Sequence, residues 1–208
     1  EGEAEVAVHL YVQGQADLEV AGGTLHLAQK TGYPWKDKVT LSLQPSAPAE
    51  FSLALRVPGW CRKPGVRLNG KKLKLSRFLS RGYVHLRRRW RKGDVVELHF
   101  PMPVERVYAH PSVRHDCGRV ALQRGPLVYC LEEVDNGRDL DDIMLPAESK
   151  LRASLDRKLL GGCVTLTGRA FCRDTAEWKQ DLYRTERGKL RKIKIRAIPY
   201  CLWANRGP

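Results

Sequence analysis

Apolar residues occupy every second position through long stretches of this chain. Val6, Val8, Leu10 and Val12 alternate with Ala7, His9 and Tyr11, and Val39, Leu41 and Leu43 alternate with Thr40 and Ser42. Phe51, Leu53, Leu55 and Val57 alternate with Ser52, Ala54 and Arg56; Val96, Leu98 and Phe100 alternate with Glu97 and His99. Side chains of a strand point to opposite faces in turn, so this period predicts strands with one face in a core and one toward water. In Tyr83-Val84-His85-Leu86-Arg87 the same rule turns His85 and Arg87 outward. Turn-forming residues separate the runs: Gly22-Gly23, 45–48, Pro58-Gly59, Asn69-Gly70 and Lys92-Gly93-Asp94. Asn69-Gly70, between apolar 66–68 and 73–75, predicts a hairpin, and 75–79 a short helical turn.

The second half carries fewer but clearer strands. Val120 to Glu132 reads as two short strands hinged at Gly125-Pro126, with Val120 and Leu122, then Leu127, Tyr129 and Leu131, on alternate positions. Further strands are expected at 164–166 and 193–198, with a polar surface loop at 135–142 and a long exposed connection over 173–192. Strands at this spacing without interleaved helices predict an all-β chain of two antiparallel β-sandwich domains. Prolines 101, 103 and 111 favour a boundary there. The expected domains are 1–106 and 107–208, with a return of the last strand to the first domain as the alternative.

Composition narrows the function classes. Of 208 residues, 42% are hydrophobic, which supplies real cores and excludes a disordered chain. No apolar run approaches the roughly 18 residues of a membrane span. Glu1 in place of a starting Met suggests an excised piece of a longer protein. The net charge is +14, and residues 61–106 hold 14 Lys and Arg against Asp94, Glu97 and Glu105. A basic excess of this kind fits a polyanion partner or a solvated sheet face, and the face is the expected reading. No helix-turn-helix, zinc-finger or RNP pattern supports nucleic-acid binding. The six cysteines, at 61, 117, 130, 163, 172 and 201, include no C-x-x-C pair and are too sparse for a disulfide scaffold. Buried free thiols and a cytoplasmic location are expected.

Candidate chemistry is sparse. The acidic stretch Glu132, Glu133, Asp135, Asp139, Asp141 and Asp142 gives no opposed carboxylate pair and lacks the EF-hand spacing. His110, His115 and Cys117 supply zinc-type donors without an evident fourth ligand. There is no G-x-S-x-G elbow, phosphate loop or dinucleotide fingerprint. Six aromatics, Tyr33, Trp35, Trp60, Trp90, Tyr200 and Trp203, suit either packing or stacking on sugar rings. Trp35, Trp60 and Trp203 are the candidate sugar contacts; no catalytic, cofactor or metal residue is assigned.

Several strings, in order, resemble glycoside hydrolase family 127, the β-L-arabinofuranosidase family. Thr31-Gly32-Tyr33-Pro34-Trp35 is similar to its T-x-Y-P-W element, and Leu55-Arg56-Val57-Pro58-Gly59-Trp60-Cys61 to its L-R-I-P-G-W-C segment. Asn69-Gly70, Gly82-Tyr83-Val84, Trp90, Gly93-Asp94 and Pro101-Met102-Pro103-Val104 follow in the family's order. Residues 120–132 resemble V-A-L-Q-R-G-P-L-V-Y-C-L-E, with Asp135-Asn136 after them, and residues 198–207 resemble the closing I-P-Y-x-x-W-A-N-R-G. Two features depart from that pattern: Cys117, and the basic run Arg87-Arg88-Arg89-Trp90-Arg91-Lys92.

The resemblance implies a parent enzyme with an N-terminal (α/α)6 barrel followed by β-sandwich domains. It implies a zinc-bound cysteine thiolate as nucleophile, further cysteine and glutamate ligands, and a separate glutamate acid/base, all in the barrel. An adjacent Cys-Cys pair belongs to that set, and no two cysteines are adjacent here. The expectation is a non-catalytic C-terminal portion that partners the missing barrel of a retaining β-L-arabinofuranosidase and meets arabinose-containing glycans through it. Zinc is expected only in the barrel, and Arg124 and Glu132 are expected to be structural. A free carbohydrate-binding module and a polyanion-binding basic domain are the alternatives.

Overall fold

The computed structural model describes residues 5–178 and 180–206. Glu1 and Gly207, on which two of the readings above fall, lie outside the described residues. The chain divides into two units, Glu1–Met102 and Pro103–Pro208.

Among the described residues the first unit holds ten strands in two sheets. One sheet has the order β1 (Glu5–Val8), β5 (Ala49–Arg56), β9 (Tyr83–Trp90), β8 (Leu79–Ser80). The other has the order β2 (Gly14–Val20), β3 (Gly23–Thr31), β4 (Lys38–Pro45), β10 (Asp94–His99), β6 (Gly65–Leu68), β7 (Lys71–Lys72). Leu41, Leu43, Val66, Val96 and Leu98 from one sheet share a single buried cluster with Phe51, Leu53, Leu55, Val84, Leu86 and Trp90 from the other, so the unit is a sandwich. The Trp90 indole N–H, fully buried, donates to the Phe51 carbonyl at 3.1 Å, which satisfies its polar edge inside the core.

Three details depart from simple alternation. β1 pairs with β5 in parallel, the exception in an otherwise antiparallel set. The predicted Val6-to-Val12 strand stops at Val8, after which the phase inverts: Tyr11 is buried, while Leu10 and Val12 are exposed. The Gln29 side-chain amide donates to the Leu10 and Val12 carbonyls, so a side chain replaces the missing ladder there. In β5, Ser52 and Ala54 are buried along with Phe51, Leu53 and Leu55, so both faces of this central strand are covered.

The Asn69-Gly70 turn forms as expected, both residues at positive φ (48° and 78°), which is the two-residue hairpin geometry. Its side chain does more than turn. Asn69 Nδ2 donates to Asp94 Oδ1 at 2.7 Å, the Val95 N–H donates to Asn69 Oδ1 at 2.8 Å, and the Arg91 N–H donates to Asp94 Oδ2 at 2.9 Å. Arg88 stands 3.7 Å from the same carboxylate and lies over the Trp90 ring.

The second unit is a single sheet in the order β11 (Val104–Val107), β12 (Ala121–Arg124), β13 (Leu127–Leu131), β17 (Leu190–Pro199), β16 (Cys163–Arg173), β14 (Ile143–Met144), with β15 (Arg152–Asp156) also on β16. β11 pairs whole with β12, so the strand that the 106/107 boundary would have cut belongs entirely to this unit. The last strand stays here too, between β13 and β16. Leu122, Tyr129, Leu166 and Ala197 form the core cluster, and burial pushes the Tyr129 phenol up to about 12. Residues 135–142 form a short helical turn, Glu133–Asn136, and a 3-10 turn, Leu140–Asp142.

Burial pushes the Asp94 carboxyl upward, but the Asn69 amide, the Arg91 N–H and the Arg88 and Arg91 charges outweigh it and hold the group below its usual value. A carboxyl depressed in the fold stabilises it fully above the ordinary aspartate range, and that contribution is lost as pH falls through the depressed value. Asp94→Asn should therefore cost about 1–2 kcal/mol at neutral pH, and the gap to the parent should narrow below about pH 4. Urea melts across pH would check this; a pH-independent gap would contradict it.

Candidate functional site

The two family-like strings of the first unit meet in a ring of aromatics. Tyr33 and Trp60, one from each string, stack at 6.4 Å between centroids. Trp60 meets Phe100 edge-on at 6.2 Å, Phe100 meets Tyr11 at 5.1 Å, and Tyr11 meets Tyr33 at 6.3 Å, which closes the ring. The strand and turn residues around it hold the geometry. Thr31 Oγ1 donates to the Lys38 carbonyl and accepts from the Tyr33 N–H, and the Cys61 N–H donates to the Pro58 carbonyl. The Tyr11 hydroxyl donates to the Arg56 carbonyl at 2.5 Å, and burial pushes both the Tyr11 and Tyr33 phenols above their usual value. Trp60 is thus a half-buried packing residue, and Trp35 sits half-buried in the turn that the Trp35 and Lys36 N–H groups close onto the Gly32 carbonyl.

In the second unit the polar residues of two other strings converge. Glu132 is buried at the end of β13. Its Oε1 accepts from the Ala204 N–H at 2.8 Å, and its Oε2 accepts from Arg206 Nε at 2.8 Å and from Arg206 Nη2. Arg206 Nη2 also donates to Asp135 Oδ2 at 2.7 Å. Asp135 faces Arg196 at 3.4 Å, and Arg196 reaches Asp156 at 2.5 Å. Asn136 completes the weave: its Nδ2 donates to the Glu132 and Arg196 carbonyls, and its Oδ1 accepts from the Arg196 N–H. The Asp135 and Glu132 carboxylates raise the Arg206 guanidinium further above its already high value.

Carboxylates bound this way are acceptors for arginine and backbone, not proton donors poised over a ligand. The remaining acids of the stretch are on the surface, where Asp141 pairs with Arg119 and Asp142 with Arg173. Burial pushes the Cys61, Cys130 and Cys163 thiols up, so none is an activated thiolate. His110, His115 and Cys117 lie on the exposed segment between β11 and β12, and the His110 ring accepts from the Ser112 N–H. Among the described residues no group of three or more His, Cys, Asp or Glu side chains is placed to hold a metal ion. Trp203 is 54% exposed and stacks on Tyr200, 58% exposed, at 5.8 Å and 9°.

The Glu132–Arg206 contact spans 74 positions of sequence. No local pattern pairs those two residues; the signal was that each stands in a family-like string.

Together these features define an all-β, two-unit module whose buried polar groups serve the fold. The family model "Beta-L-arabinofuranosidase, GH127 middle domain" matches residues 5–102, and "Glycoside hydrolase family 127 C-terminal domain" matches 104–208. The chain belongs to glycoside hydrolase family 127. It is 35% identical to the "Non-reducing end beta-L-arabinofuranosidase" of Bifidobacterium longum subsp. longum over 217 aligned residues, covering 99% of this chain and 32% of that protein. A solved GH127 beta-L-arabinofuranosidase from Geobacillus stearothermophilus T6 is 46% identical with a TM-score of 0.95, over 100% of this chain and 33% of that one. The structure described as the GH127 beta-arabinofuranosidase BT3674 is 33% identical with a TM-score of 0.86, over 99% of this chain and 33% of that one. The chain thus spans about a third of the length of these relatives, which are larger enzymes containing this region as a part. Among the described residues no helix is long and apolar enough to cross a membrane.

Removing one partner of a buried pair leaves the other charge desolvated and unmatched. Glu132→Ala should destabilise the chain by about 3 kcal/mol. In a double-mutant cycle with Arg206→Met the coupling should exceed about 1 kcal/mol. Additive losses in chemical denaturation would show the clamp to be incidental.

Proposed function

We propose that the two units support a catalytic (α/α)6 barrel supplied by residues outside this chain, in an enzyme that hydrolyses β-L-arabinofuranosides with retention. The observation that carries this reading is the use of the buried Glu132 and the part-buried Asp135 carboxylates, which are bound to Arg206 and Arg196. The names of the relatives, arabinofuranosidases about three times as long, supply the substrate class. Zinc-thiolate chemistry, where the family uses it, would be supplied by that barrel. The six free thiols, with Cys117 and Cys201 exposed, support a cytoplasmic setting. The purified 208-residue chain should show no release of nitrophenol from a nitrophenyl β-L-arabinofuranoside above the buffer rate. Turnover by the chain alone would overturn the proposal.

A second reading, carbohydrate binding by the module itself, draws on the exposed coplanar pair Tyr200 and Trp203. Parallel aromatic faces open to water suit stacking on a sugar ring. An arabino-oligosaccharide should then quench tryptophan fluorescence, and Trp203→Ala should abolish the quench while leaving the melting temperature within a few degrees of the parent. An unchanged titration in Trp203→Ala would exclude this pair as the platform.

A further inference from the structure

The first unit carries a cleft of about 500 Å³ on its six-stranded sheet, apart from every aromatic and ionic cluster described above. The sheet register builds it. Lys38, His99 and Gly65 stand abreast on β4, β10 and β6, and Glu97, Arg67 and Lys72 stand abreast on β10, β6 and β7. Both rows project away from the core, because Val39, Val66 and Leu98 between them are buried. Lys63 and Pro64, just before β6, line it as well.

The charges in this cleft fall into two groups. Lys38 pairs with Glu97, and His99 pairs with Asp37 at 3.0 Å. The Lys38 ammonium and the Arg67 charge hold the Glu97 carboxyl below its usual value, so Glu97 remains an anion and stays matched to Lys38. Lys63 and Lys72 line the same cleft and pair with no carboxylate among the described residues, whereas Arg67, opposite Glu97 in the register, acts on that carboxylate and donates to the Gly70 carbonyl at 3.1 Å. Gly65 leaves the floor open: a Cβ placed there would meet only the His99 Cβ at 3.6 Å and the His99 carbonyl oxygen at 3.9 Å. The cleft lining includes no Trp, Tyr or Phe. A neutral sugar or a nucleobase would therefore find only the Asp37-paired His99 ring to stack on, whereas an anion finds Lys63 and Lys72 unpaired with the Arg67 guanidinium beside them.

We propose that this cleft binds the carboxylate groups of an acidic oligosaccharide, a uronate-bearing glycan segment, through Lys63, Arg67 and Lys72. The choice of a carboxylated sugar over another anion rests on the glycan-directed reading above; the cleft and its unmatched cations do not. The volume lies within the range of discrete ligand sites, about 300–1,000 Å³. The Arg67 fork is suited to a planar carboxylate, with the two lysines as point charges beside it.

The test is binding, not turnover, so it fails or succeeds independently of hydrolysis. Trigalacturonate titrated into the 208-residue chain should move the amide resonances of Gly65, Arg67 and Lys72, and affinity should fall as salt rises. Lys63→Glu/Lys72→Glu should weaken binding by about tenfold or more. Gly65→Leu, which blocks the floor without altering charge, should weaken it comparably, and both variants should melt near the parent. Maltotriose, the neutral control, should leave these resonances unmoved. The proposal is overturned if maltotriose binds as well, or if Gly65→Leu binds as tightly as the parent, since the charged face alone would then be responsible. An oligodeoxythymidylate that binds the cleft more tightly than trigalacturonate would overturn it in favour of a nucleic-acid surface.

Discussion

A strand's pleat lets only every second side chain face one core, and both units are organised by what happens where that rule stops. Inside the first unit the rule suffices: Val39, Leu41 and Leu43 on β4 face Phe51, Leu53 and Leu55 on β5 across a dry interior. At about 25 cal/mol per Å² this apolar burial is the dominant favourable term. Strand ends and turns cannot be held that way, because their backbone groups lack ladder partners. Polar side chains take over there. Asn69 and Asp94 bind one turn to another, Gln29 receives the run after β1, and Glu132, Asp135 and Asn136 tie the residues after β17 back to the end of β13.

The same division explains what could be read in advance. Strand existence was legible wherever alternation was clean, as in residues 39–43, 51–55 and 121–131. The hairpin at Asn69-Gly70 was legible because two consecutive positive φ values favour those residue types. The phase change after Val8 was not, since Leu10 and Val12 continue a hydrophobic alternation that the backbone abandons to bury Tyr11. Nor was the double-sided burial of β5, because Ser52 and Ala54, small or polar at alternate positions, look like solvent-face residues in the sequence. Periodicity describes one face of one strand and is silent about how many layers cover it.

The candidate site was legible only in outline. Tyr33 and Trp60 stand out as aromatics in turn-rich strings, yet their role is set by Tyr11 and Phe100, which close the ring from distant positions. Glu132 belongs to an acidic stretch whose members look interchangeable. Only the fold separates it from Asp141: one is buried against Arg206, the other is solvated beside Arg119. Trp203 is distinguished in the same way, since its exposure and its parallel partner Tyr200 depend on how the chain turns after Pro199.

Charge follows a complementary logic. Where carboxylates are buried, each is matched to an arginine, because an unmatched ion in a dry site costs several kcal/mol. On the solvent face of the six-stranded sheet no such penalty applies, and Arg67 and Lys72 stand exposed there, with Lys63 just before β6. A flat, fully hydrated face would screen those charges from one another and from a ligand. The Gly65 floor changes that: without a side chain there, a concavity opens beside the exposed Lys63, Arg67 and Lys72, and one anion held in it meets several of these charges at once. The difference between a basic surface and a basic site in this module is therefore a matter of one missing side chain as much as of three positive ones.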